Sequence, residues 1–186
     1  ELTYEHRRSI KCYLVVNLHL KLSLLGIVHD PQYGGIPRDP VALYQFFNRK
    51  DNIKIIQNLS KKNILKQDQI DLLLPQNQKT FSKKWDITLI CVVIINFTSL
   101  PPPINGWRNP LDPTDISPGA YVVIARKERN IFNHATLETF CEEADFKPFF
   151  IKIRKIIVGL NYKDIAQFDE LDVDSIDPTS FKGDVD

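Results

Sequence analysis

Trp85-Asp86-Ile87-Thr88-Leu89-Ile90-Cys91-Val92-Val93-Ile94-Ile95-Asn96-Phe97 is the stretch on which the fold class turns. β-Branched residues dominate it, and propensity alone would make it a buried strand. Its length and the lack of any other convincing strand to pair with it weigh the other way. It is therefore read as a helix buried on most sides, and the chain as all-α.

The segments on either side agree with a helical bundle. From about Arg8 to Val28, Ile10, Leu14, Leu18, Leu22 and Leu25 recur at helical spacing, with no glycine before Gly26, which predicts one long first helix. A loop over 29–37 follows. Asp39-Pro40 then supplies an N-cap and a first-turn proline for a short helix to about Asn48. Ile53 to Leu59 and Gln67 to Leu74 read as two further short helices, the second ended by Pro75. Downstream, Pro101 to Pro113 cannot be helical and is long for a connection within a compact domain. Trp107 is read as packing that loop onto the bundle, because an aromatic amid prolines more often staples a loop than reads a base. Ser117-Pro118 repeats the capping logic and opens another helix. Glu142 to Leu160 forms the next, with Phe146, Phe149, Phe150, Ile153, Ile156, Ile157 and Leu160 inward, and Tyr162 to Leu171 a last short one. The reading is a helical domain over 8–172 and an acidic, flexible tail over 173–186.

Composition limits what such a domain can do. The 186 residues suffice for one real core. With 24 basic and 23 acidic side chains the net charge is +1, so no global field draws in nucleic acid or an anionic membrane, and any RNA contact must be local. Lysines are enriched in the middle (Lys61, Lys62, Lys66, Lys79, Lys83, Lys84) and carboxylates in the tail. Cys12, Cys91 and Cys141 lie far apart and without metal-ligand spacing, which points to a reducing, cytoplasmic setting and to no zinc or disulfide framework. No cofactor or metal site is expected. The apolar runs Tyr13 to Val28, interrupted by Asn17, His19 and Lys21, and Ile87 to Phe97, about half the ~20 residues a span requires, are not read as membrane helices. The sequence begins at Glu1 and contains no methionine, which points to a segment of something longer. His19, on an apolar helix, is read as a core or interface residue; His6 and His29 are read as exposed.

The chemistry-bearing stretch is Ala125-Arg126-Lys127-Glu128-Arg129-Asn130-Ile131-Phe132-Asn133-His134. Arg126, Asn130 and His134 fall at i, i+4 and i+8, so a helix carries them as one stripe, with Arg129 and Asn133 flanking it. Arginine can bind phosphate oxygens bidentately, and histidine, with an unperturbed pKa of ~6.5, suits proton transfer near neutrality. The same pattern also describes a solvated face of an amphipathic helix, with the histidine capping its end. Tyr121, Ile124, Ala125, Glu128 and Phe132 take a different face.

The order of these segments resembles a known family, the HEPN domains of the DAZ-interacting zinc-finger RING ubiquitin ligase type. The resemblance rests on Trp85-Asp86-Ile87-Thr88-Leu89, Pro101-Pro102-Pro103 through Gly106-Trp107, Asp115-Ile116-Ser117, Arg129-Asn130-Ile131-Phe132-Asn133-His134, and Asp145-Phe146 with the helix after it. It implies an all-α HEPN bundle with a long proline-rich inter-helix loop, pairing as a homodimer so that two Arg-x4-His motifs face each other. It also implies RNA as partner, further domains in a longer regulatory protein of innate-immunity or ubiquitin-signalling type, and cleavage without a metal. Arg129 and His134 then match the motif's arginine and histidine and Asn130 its polar second position, with Arg126, Lys127 and Asn133 as further RNA contacts. Ile95-Asn96-Phe97-Thr98 departs from the pattern, placing an apolar residue where relatives often carry arginine. No RING zinc pattern is present, so ubiquitin transfer does not reside in these residues. The rival reading is a non-catalytic dimerisation or protein-interaction module.

Overall fold

The computed structural model describes residues 3–134 and 143–171. Among them there is no strand, and the stretch from Ile87 to Phe97 is a helix. Seven of its residues are buried, Ile87 and the run Leu89 to Ile94. A helix apolar all round must be covered all round. Here α1 (Tyr4–Leu14) and α2 (Lys21–Val28) make the first arm, followed by α3 (Pro40–Phe47), α4 (Lys50–Lys61) and α5 (Gln67–Leu73). The central α6 (Ile87–Phe97) is followed by α7 (Pro118–His134), α8 (Glu143–Gly159) and α9 (Ile165–Glu170). α6 packs on α2 and α7, while α8 packs on α7 and on the first arm. Each large aliphatic side chain so buried contributes about 1.5–3 kcal/mol, which is why packing overrides the β propensity of this segment.

The first arm is more interesting than its periodicity suggests. Between α1 and α2 the backbone widens into a π-helical segment, Val15–Leu20, where the N–H of Lys21 reaches the carbonyl of Val16. The wider turn buries Val15, Val16, His19 and Leu20 together. Because the helix continues through the segment, His6–Val28 is long and apolar enough by length and composition to cross a membrane. In its most apolar window 56% is buried inside the bundle, as expected of a core helix. His19 is a core residue: it is 3% exposed, its Nδ1 lies 3.0 Å from the Tyr162 hydroxyl, and its ring meets Phe168 edge-on.

His29 differs from the exposed position expected for it. It is buried, 2.8 Å through Nδ1 from the Ile36 carbonyl and 3.0 Å through Nε2 from Ser82 Oγ. A carbonyl can only accept, so the proton sits on Nδ1 and neutral Nε2 accepts from the serine. Burial lowers the pKa of this imidazole below its ordinary value, with Arg38 adding to the effect and the Ile36 bond opposing it. His6 is exposed as expected.

The caps behave as their residue types dictate. Asp39 accepts from the Ala42 N–H at 3.0 Å, Asp86 from Leu89 at 2.9 Å, and Ser117 Oγ from Ala120 at 3.3 Å. The inward face expected of α8 is buried from Phe146 to Leu160, although Pro148 lies inside that helix and removes one backbone donor from it. The proline-rich connection is held by Asp115, which accepts from the Ile104 N–H at 2.7 Å and from the Ser117 N–H at 2.9 Å. These hydrogen bonds, Ile104 first, hold its carboxyl below the usual carboxylate range. The loop then lies so close to α7 that a Cβ on Gly119 would come within 2.6 Å of the Pro101 carbonyl oxygen. Trp107 packs against the core, as read. Cys141 and the acidic tail lie outside the described residues.

Candidate nucleic-acid interface

α7 is positioned by its inner face and by two polar ties. Ala125 and Glu128 are buried, and Tyr121, Ile124 and Phe132 pack on the core. The Glu128 carboxylate pairs with Lys152 of α8 at 3.4 Å. On the other side Arg129 reaches α6: its Nη2 lies 3.2 Å from Asp86 Oδ2 and its Nη1 donates to Thr88 Oγ1 at 3.0 Å. Nη1 also donates to Asn130 Oδ1 at 3.4 Å. With the Asn133 amide oxygen turned toward it, the guanidinium donates to Asn133 through Nε and Nη2, both at 3.2 Å. All five of its N–H donors are therefore engaged. Asp86 caps α6 with one oxygen and holds Arg129 with the other, which explains why Trp85-Asp86-Ile87-Thr88 and Arg129 belong to one structural unit.

That arrangement separates the two ends of the Arg-x4-His spacing. Residues five apart on an α-helix point about 140° from one another. Arg126, Lys127, Asn130 and His134 line one open groove along the exposed face of α7, together with Val123 and Ile131. Arg129 and Asn133 are not among its lining residues. Asn130 sits at the seam, lining the groove and accepting from Arg129. Of the six residues singled out from sequence, four thus share a surface, and the remaining two form the clamp behind it.

Arg126 also lines a second, deeper groove of about 590 Å³ between α4, the end of α6, the proline-rich loop and α7. Lys54, Lys62 and Arg108 bring three more cations to it, and among the described residues no carboxylate lines it. The sequence reading did not single out this groove. Its signal was available: Lys54, Asn58 and Lys62 fall at i, i+4 and i+8, the same cation-amide-base stripe as Arg126, Asn130 and His134.

Cys91, near both arginines, is not a nucleophile, because burial pushes its thiol up to about 12. Among the described residues, no three His, Cys, Asp or Glu side chains gather as a metal site.

An all-α bundle that carries Arg129 and His134 at Arg-x4-His spacing on one helix fits the HEPN class that the sequence resembles. More narrowly, the family model of DZIP3/hRUL138-like HEPN domains matches residues 40–182, and the chain belongs to that family. The first arm precedes the matched region. No curated protein and no solved structure matches the chain.

Proposed function

We propose that this HEPN domain is an RNA-directed module that grips the sugar-phosphate backbone along the exposed face of α7 and uses His134 for metal-independent cleavage. The observation that carries this reading is the convergence of Arg126, Asn130 and His134 on one groove, with Arg126 continuing into a second groove that Lys54, Lys62 and Arg108 also line. In the proposed step the 2′-hydroxyl attacks its own phosphorus, the P–O5′ bond breaks, and a 2′,3′-cyclic phosphate and a 5′-hydroxyl result. His134 takes the hydroxyl proton or returns one to the leaving oxygen. Arg126, with donors free of any ion pair among the described residues, stabilises the charge growing on the phosphoryl oxygens. Arg129 is a positioning residue in this account, holding Asn130 against the groove and α7 against α6. DNA lacks the nucleophile and is not cleaved.

The test is single-stranded RNA in chelator, wild type beside His134→Ala and Arg126→Ala, read by electrophoresis for cleavage and retardation. Cleavage and its loss in His134→Ala, with cyclic phosphate ends, are expected. Full cleavage in both variants, or RNA neither cleaved nor retarded by the wild type, overturns the proposal.

A second reading is favoured by Val123 and Ile131, which put apolar surface beside the polar stripe, Ile131 being 48% exposed. It is a homodimer closed through α7, which would bring a second His134 to the same groove. Sedimentation at concentrations well above micromolar tests it: a dimer lost in Ile131→Glu supports it, and a strict monomer removes it.

A further inference from the structure

We propose that the groove between α4, α6, α7 and the Trp107 loop is a nucleotide subsite that takes one unpaired RNA base and its flanking phosphates. The inference rests on the RNA reading above and adds to it a place where sequence preference is set. Three features of the groove point to a nucleotide and not to a simple anion.

Its charge is one-sided. Among the described residues Lys54, Lys62, Arg108 and Arg126 line it without a carboxylate, and none of the four is in an ion pair. Its floor is apolar, formed by Val92 and Ile95 of α6 with Leu59 of α4, and bare phosphate gains nothing from such a wall. Trp107 is half-buried: besides packing on the core it lines the same space from the loop. An aromatic side chain beside cations is the combination on which unstacked bases settle. The volume, about 590 Å³, lies in the range of sites for small organic ligands.

Two amides complete the groove. Asn58 stands between Lys54 and Lys62 on α4, and Asn96 stands at the end of α6. Asn96 donates to the Val92 carbonyl at 2.9 Å, which fixes its amide and leaves its oxygen to accept. An oriented carboxamide can distinguish a base edge that donates from one that does not. Arg126 lines this groove and the one containing His134, so a strand whose base sits beside Trp107 carries its next phosphate toward the α7 stripe. The subsite is therefore a specificity device for the same RNA.

The experiment is tryptophan fluorescence of the full chain titrated with octamers of adenylate and of uridylate, with pyrophosphate and an acidic phosphopeptide as separate probes. Trp85 is fully buried, so quenching reports Trp107. The octamers are expected to quench and to differ from each other in affinity, and pyrophosphate and the peptide to leave the signal unchanged. Trp107→Leu should weaken octamer binding about 5- to 150-fold, the worth of one base stack. The exposed pair Lys54→Ala/Lys62→Ala, which leaves the core intact, should lower the salt slope by about 1.4. Equal quenching by pyrophosphate or phosphopeptide, or unchanged octamer affinity in the lysine variant, overturns the subsite. If RNA is still retarded and cleaved in that case, the subsite alone falls; if the wild type binds no RNA, both readings fall.

Discussion

Asp86 should stabilise this protein through two separable contacts, and substitution can take them apart. One carboxylate oxygen caps α6 at the Leu89 N–H, 2.9 Å away; the other pairs with Arg129 at 3.2 Å. Loss of such a cap costs about 1 kcal/mol. The pair, with the aspartate side chain 52% exposed, contributes only about 0.2–1 kcal/mol. Asp86→Ala removes both, so about 1.5 kcal/mol, which for a chain of this size lowers Tm by about 3–6 °C. Asp86→Asn keeps a competent cap and loses the charge, so Tm falls by about 1–2 °C. Arg129→Ala should resemble Asp86→Ala, since it abandons Thr88, Asp86 and Asn133 at once. Thermal unfolding followed by circular dichroism reads all three. Asp86→Asn as damaging as Asp86→Ala, or an unchanged Tm in Arg129→Ala, would refute the clamp and return Arg129 to the pool of groups free to bind phosphate.

Gly119→Ala drives a methyl group into backbone 2.6 Å away at Pro101, and should cost about 1–3 kcal/mol as the proline-rich loop is pushed off α7; urea unfolding measures it, and an unchanged midpoint contradicts the close approach. The buried imidazoles give a pH dependence of definite sign. His19 and His29 both have pKa values lowered by burial, so below the ordinary ~6.5 the unfolded chain binds protons that the folded one refuses. Their contribution is complete above about pH 7 and declines as pH falls through 6.5 toward the folded values. Carboxylates such as Asp169, held low by its hydrogen bond to Arg154, add their loss only near or below the ordinary ~3.9. A Tm that drops between pH 7.5 and 5.5 in the wild type and drops less in His29→Gln is expected; a Tm that rises on acidification contradicts it.

Much of this was legible in the sequence, and for physical reasons. The fold class followed from a single ambiguous segment, because an apolar run without strand partners can satisfy its backbone only as a helix. The caps at Asp39 and Ser117 and the inward face of α8 followed from residue types whose local preferences the tertiary structure did not oppose. His29 was misjudged because its partners, Ile36 and Ser82, are set by chain paths that no local pattern encodes. The π-helical turn was equally hidden, since its hydrophobic spacing mimics an ordinary helix. At the candidate site, helical spacing found the α7 stripe, and the family motif drew attention to Arg129 and His134. Neither could reveal that Asp86, forty-three positions earlier, holds the guanidinium of Arg129. The second groove was half legible: Lys54, Asn58 and Lys62 form a stripe along α4 and its C-cap, but only packing brings them opposite Trp107 and Arg126.

RNA is proposed to meet this HEPN domain along the stripe of Arg126, Asn130 and His134. The most direct measurement is an NMR titration of labelled protein with RNA made uncleavable by 2′-deoxy substitution. The account predicts perturbed resonances at those three residues, spreading through Arg126 toward Lys54 and Trp107. Shifts confined to the opposite face of the bundle, or none at saturating RNA, would contradict it.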